Sequence, residues 1–323
     1  MINFNPQISP YNKIGVSTQK CSTPSFGKSL DKDTFIKSKN NTAISFGSSM
    51  SLKRKFERFQ KDIESYVFKS SKIELSEIEK IVQKYSPRTM VKSYDELPQN
   101  SNALSTTVAY VQNPINFTPD NKAIAQDKII FIRPIKNQDK ESKLSFLDKI
   151  EHEFTHVLQE ESPDRTPKID FFNDFLKNNN IQNPKTLNTI IMCPKVFASV
   201  EHYISLPLRK ALQKSDDMPE KLPFYSKDLI NQIYVSQTGI NAKDYAKAII
   251  FTILNKSEKQ SGGFDKQQVI KYIALVANKE KEAYENSTLM LKRHLGIEGH
   301  TDLDLRIQLY EIFEQTAKEM LKN

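Results

Sequence analysis

Cysteine is nearly absent: Cys21 and Cys193 are the only two in 323 residues, and they carry no metal-ligand spacing. A disulfide framework is therefore not expected, and each reads as an ordinary free thiol. No stretch approaches the roughly eighteen consecutive apolar residues that a membrane-spanning helix needs, so no span is expected either. The N-terminus also lacks the basic, apolar and small-residue order of a secretory signal, which leaves a cytoplasmic location or export by a route without that signal. Histidine is scarce too, with five residues at 152, 156, 202, 294 and 300. In so histidine-poor a chain, two that recur four residues apart stand out.

What is present, 38% hydrophobic and 27% charged residues, suits a globular protein of one or two domains. Residues 1–48 are rich in Ser, Asn, Lys, Thr and Pro and poor in apolar runs, which predicts a disordered tail. Inside it, Ser25-Phe26-Gly27 is echoed by Ser45-Phe46-Gly47, a repeat that reads either as a short recognition element or as chance in a low-complexity segment. Residues 49–323 then form the folded unit, with a sheet-bearing lobe over 49–162 and a helical lobe over 163–323. Periodicity predicts helices over 52–68, whose stripe is Phe56, Phe59, Ile63, Tyr66 and Val67, and over 74–85. Strands are expected over 89–92, 103–112 and 128–133, followed by a helix over 142–160. The remainder reads as helices broken at Pro163, Pro184, Pro207, Pro223 and Gly262-Gly263. The expected class is α+β, with a small mixed or antiparallel sheet ahead of a mainly helical lobe.

The formal charge of +8 and a sequence pI near 9.1 raise nucleic-acid binding as one use of the surface. Basic residues are dispersed among acids, however, and no finger, homeodomain or RNA-recognition pattern is present, so nucleic acid is not the expected partner.

The chemistry concentrates in His152-Glu153-Phe154-Thr155-His156, an H-E-x-x-H string inside the helix over 142–160. That helix carries Leu144, Leu147, Ile150, Phe154 and Leu158 at helical spacing and follows an apolar strand. Residues four apart on a helix lie about 40° apart around its axis, so the two imidazoles project to one side and can grip one zinc ion. Two neutral nitrogens and a carboxylate leave the fourth tetrahedral position to a water whose pKa falls to about 7. Glu153, next to that water, is the expected general base for attack on a peptide carbonyl.

The string EHEFTHVLQ, preceded by a strand, resembles the active-site helix of the zincin metallopeptidases. The resemblance implies a zincin-like fold, Zn2+ held by His152 and His156, Glu153 as base, and an edge strand that pairs with an extended polypeptide substrate. The metzincin branch would need Gly and His where this chain has Gln159 and Ser162, so the gluzincin-like pattern, with a glutamate from a later helix, is closer. Three acids compete for that place. Glu280 falls within the stripe Ile273, Val276, Ala277, Ala283, Tyr284, Ser287 and Leu291 of a helix expected over 267–295, and Glu280-Lys281-Glu282-Ala283 resembles the gluzincin E-x-x-A string. Glu282 turns nearly the opposite way, though Asn286 follows it by four residues. Glu201, nested among Phe197, Val200, Ile204, Leu208 and Leu212, lies at a more usual distance from His156. Glu280 ranks first. Position 284 holds Tyr where many relatives of that pattern have an aspartate that orients a ligand histidine. An oxyanion stabiliser is expected among Tyr284, His202, Tyr272 and His294.

Two classes of function stay open on the sequence: a zinc metallopeptidase acting on a polypeptide, and a non-catalytic zincin-like helical scaffold that binds a partner. Oligomeric state is not written in the sequence.

Overall fold

A computed structural model describes residues 50–96, 109–112, 115–117, 122–135, 137–161, 228–261 and 266–322, with isolated positions between 170 and 226. The expected tail, its Ser-Phe-Gly repeat, Cys21 and Cys193 lie outside the described residues. The described chain opens with helices α1 (Met50–Lys69) and α2 (Leu75–Tyr85). Strands β1 (Thr89–Ser93), β2 (Ala109–Gln112), β3 (Ile115–Phe117), β4 (Ala123–Ala125) and β5 (Lys128–Ile132) follow. Helices α3 (Lys140–Glu161), α4 (Leu229–Thr238), α5 (Ala242–Ser261), α6 (Lys266–Leu295) and α7 (Asp302–Met320) complete it. The fold is mixed and mostly helical, with a small sheet, and the helices read from periodicity form within a residue or two of their expected ends.

The three-stranded sheet has the order β1-β5-β2, with β1 parallel and β2 antiparallel to β5. Central β5 is an apolar run whose Ile130, Phe131 and Ile132 are all buried, as a strand covered on both faces requires. β2 is an outer strand, and α3 packs across it and β5. Of the strand expected over 103–112, only 109–112 is described. The separate hairpin β3–β4 was not expected, because three residues per strand are too few to show a period of two.

Helix α3 is buried along most of its length, and α1 covers the side away from the two histidines. The stripe Phe56, Phe59, Ile63 and Val67 is buried as expected, while Tyr66 lies half out and its hydroxyl accepts the Glu74 backbone N–H at 3.0 Å. Phe59 stacks on Phe154, ring centroids 3.8 Å apart, and Tyr85 meets Phe59 edge-on at 6.0 Å. Phe154 is two residues from each histidine and so points about 200° around the helix from both. The aromatic stack thus holds α3 from behind while its other face stays free for chemistry. Further on, α6 lies between α3 and α7, packed against both.

The C-terminal residue of α3, Glu161, places a negative charge where the helix dipole disfavours it. Three partners offset this: Lys55 at 2.9 Å, Lys128 at 3.2 Å and the Ser86 hydroxyl. Burial works to raise its pKa, but Ser86, Lys55 and Lys128 together hold it below the ordinary value.

Two outcomes follow for stability. Phe59→Ala should cost about 3–5 kcal/mol in chemical denaturation, since it removes the ring behind the histidine helix. Glu161→Gln should cost about 1–3 kcal/mol at neutral pH. A carboxyl whose folded pKa is depressed stabilises above its unfolded value and stops doing so as pH falls through the folded one. The stability gap between wild type and Glu161→Gln should therefore hold at neutral pH and close in acid; a gap that widens on acidification would contradict the assignment.

Candidate metal centre

Helix α3 supplies His152 and His156, and α6 supplies Glu280. Their ligand atoms gather in one place, all within 4.8 Å of one another. The two Nε2 atoms are 3.2 Å apart, and Glu280 Oε2 lies 3.5 Å from His152 Nε2 and 3.4 Å from His156 Nε2. A tetrahedral ion with bonds of about 2.0–2.1 Å requires donors about 3.3–3.4 Å apart, so these three edges match the base of such a tetrahedron. Three electron-rich atoms at this separation repel one another unless a cation or a shared proton sits among them. Glu280 keeps a quarter of its side chain exposed, 25%, against 11% for His152 and 8% for His156, so the triad opens to solvent on the carboxylate side.

Around the triad, α3 and α6 are joined by polar contacts. His156 Nδ1 and Gln159 Oε1 are 2.9 Å apart, and Gln159 Nε2 donates to the Lys279 carbonyl at 2.9 Å and to Glu282 Oε2 at 3.0 Å. Lys279 Nζ reaches back to Glu160 at 2.6 Å, both side chains almost wholly buried. Asn286 Nδ2 donates to Thr155 Oγ1 at 3.2 Å, and Thr155 Oγ1 donates in turn to the Glu151 carbonyl. Over His152 lies the Tyr284 ring, centroids 4.4 Å apart, itself stacked on Tyr310 at 5.3 Å. Position 284 therefore packs against a ring of the triad.

The protonation states follow from these neighbours. Burial pushes the Glu280 carboxyl up, but the charge and hydrogen bonds of His156 and His152 more than reverse this and leave it well below the ordinary value. Burial pulls the His152 imidazole down, while Glu280 and Glu153 outweigh that and raise it. Glu153, also buried, is raised by its desolvation; both histidines pull it back part of the way, as does a hydrogen bond from the Val111 backbone in β2. Glu153 is thus a buried carboxyl held above its ordinary value beside the triad.

The remaining candidates fall as follows. Glu282, read as turned away, is buried against Gln159 and does not join the triad. The stripe argument misplaced it because α6 is enclosed on several sides at once, with residues 281–288 all buried. His294 pairs with Glu64 at 3.1 Å and packs on Phe68. It lies about 21 Å along the α6 axis from Glu280 at about 1.5 Å per residue, too far to face the triad. Tyr272 is buried, and its hydroxyl is raised by desolvation and by the nearby charges of Glu160 and Glu280, so it keeps its proton. Glu201 and His202 lie outside the described residues. Sequence reasoning assigned no role to Gln159 or to the Lys279–Glu160 pair; the three-residue spacing of Gln159 from His156, which puts both on one helix face, is the signal that could have found the former. No family model matches the chain, and neither a curated protein nor a solved structure matches it.

Incubated with zinc and then dialysed, the protein should retain about one equivalent by elemental analysis. His156→Ala and Glu280→Gln should lose most of it, and Glu201→Gln should not. Full retention by Glu280→Gln would remove that residue from the ligand set.

Proposed function

We propose that the protein is a zinc-dependent metallopeptidase with a zincin-like, gluzincin-type arrangement, acting on a polypeptide. The observation that carries this reading is the set of three donor separations at the triad, 3.2, 3.4 and 3.5 Å, with both nitrogens drawn from an H-E-x-x-H helix. Two imidazoles and one carboxylate are the donor set that suits catalytic zinc, because three protein ligands leave one position open. When bound, zinc would supply a Lewis acid and lower the pKa of a water.

The chain's own groups then perform the proton transfers and the positioning. Glu153, ionised, takes the proton of the attacking water and returns it to the departing amine. β2, an outer strand of the sheet among the described residues, lies against the same helix, and its backbone is the surface on which an extended polypeptide can add as a further strand. Phe154 and Phe59 hold the helix rigidly from behind, so the histidine rings need little reorganisation on binding.

Cleavage of an unfolded polypeptide, followed by electrophoresis, tests the reading. Glu153→Gln should lower the rate by at least about a hundred-fold while zinc content stays at the wild-type level. A zinc-loaded wild type that cleaves no unfolded polypeptide would sink the enzymatic reading in favour of a binding scaffold.

A further inference from the structure

Gln159 is fully buried and sits three residues beyond the second histidine, where its side chain meets a ligand ring at one end and α6 at the other. The orientation of its amide is fixed by its partners. One end faces the carbonyl of Lys279 and the carboxylate of Glu282, and both of these only accept hydrogen bonds. The NH2 group therefore occupies that end, and the carbonyl oxygen is left for His156. An amide oxygen only accepts, so His156 must donate from Nδ1. In a neutral imidazole this puts the lone pair on Nε2, the atom that lies 3.4 Å from Glu280 and 3.2 Å from His152. Without Gln159 the Nδ1 side loses its acceptor, and Glu280 Oε2, 3.4 Å from Nε2, would draw the ring proton to that nitrogen instead.

The other end matters as much. The Lys279 carbonyl and the Glu282 side chain flank Glu280 in sequence, so one side chain binds a ligand ring on α3 and the turn of α6 that carries the third donor. Lys279–Glu160 and Thr155–Asn286 already tie the same helices together. Helix docking alone thus does not require the acceptor of Gln159 to lie on a ligand imidazole.

We propose that Gln159 is the positioning residue of this metal site: it holds His156 as the Nδ1–H tautomer and couples that ring to the Glu280 turn, so that donor geometry is set before an ion arrives. The metal half of this proposal rests on the zinc reading above; the tautomer half concerns the metal-free chain. Groups that orient a ligand histidine change metal affinity about 10–100-fold when removed.

Two measurements separate the possibilities. In metal-free protein carrying 15N-histidine at a pH where the ring is neutral, His156, assigned by its loss in His156→Ala, should give the nitrogen shifts of a single Nδ1–H tautomer. Gln159→Met, similar in length but unable to hydrogen-bond, should move those shifts toward the Nε2–H form, whose proton faces Glu280. Competition against a chromogenic chelator should then show zinc bound about 10–100-fold more weakly by Gln159→Met than by wild type. Wild-type His156 as the Nε2–H tautomer overturns the proposal without any variant having to fold. Zinc uptake by wild type with equal affinity in Gln159→Met overturns the positioning role and leaves the zinc reading standing. If wild type takes up no zinc, that reading falls and the metal half falls with it, while the nitrogen shifts still decide the tautomer.

Discussion

The structure depends on one buried polar seam, where the second half of α3 meets the middle of α6. Burying Lys279, Glu160, Gln159 and Glu282 between two helices costs several kcal/mol unless each finds a partner, and the cost of stranding one charge is about 3–5 kcal/mol. Such a seam tolerates one register. A one-residue shift turns α6 by about 100° and would separate Lys279 from Glu160 and Asn286 from Thr155 together. Only in the observed register does Glu280 face the two histidines. An apolar seam of equal area would have allowed sliding; the polar one selects.

The opposite side of α3 is organised by a different force. Phe154, Ile150, Leu147 and Val157 bury against α1 and the rest of the core, where attraction is non-directional and scales with area. One helix therefore carries two kinds of information: an apolar back that fixes how deep it sits, and a polar front that fixes its rotation and its partner. Together they leave the imidazoles little freedom, which is the condition for donors to stand 3.2–3.5 Å apart against their mutual repulsion. Glu161 closes the arrangement at the helix end, drawing α1 and β5 onto it through Lys55 and Lys128.

Much of this was legible in the sequence because it is local. The H-E-x-x-H spacing, the α1 stripe and the apolar β5 are patterns of period 3.6 or 2 within single elements, and each forms where it was read. Glu280 was also legible, since an acid on an apolar stripe needs a reason to be there. Glu282 was not. A periodic stripe reports one buried face, whereas α6 packs between α3 and α7, so Glu282 is buried although it lies off the stripe, while Glu280 on the stripe keeps a quarter of its side chain exposed. Gln159 and Glu282 are separated by 123 residues, and pairing at that distance leaves no trace in local spacing. Gln159 entered the sequence reading only as the residue that excluded a metzincin pattern, while its buried role depends on a helix more than a hundred residues away.

The chemical identity of position 159 follows from what surrounds it. Glu282 and the Lys279 carbonyl take up its outer end, and Glu280 stands one residue from Lys279 on the facing turn. A carboxylate here would meet acceptors at that end, and burial beside other acids would raise its pKa until it took up a proton, leaving one donor where the amide offers two. A lysine would offer donors to α6 but none of the acceptor capacity that the Nδ1–H of His156 uses. An amide alone accepts at one end and donates twice at the other, and glutamine has the reach that asparagine lacks. The orienting group is thereby neutral and adds no charge to that of Glu280, whose carboxyl the two histidines keep ionised.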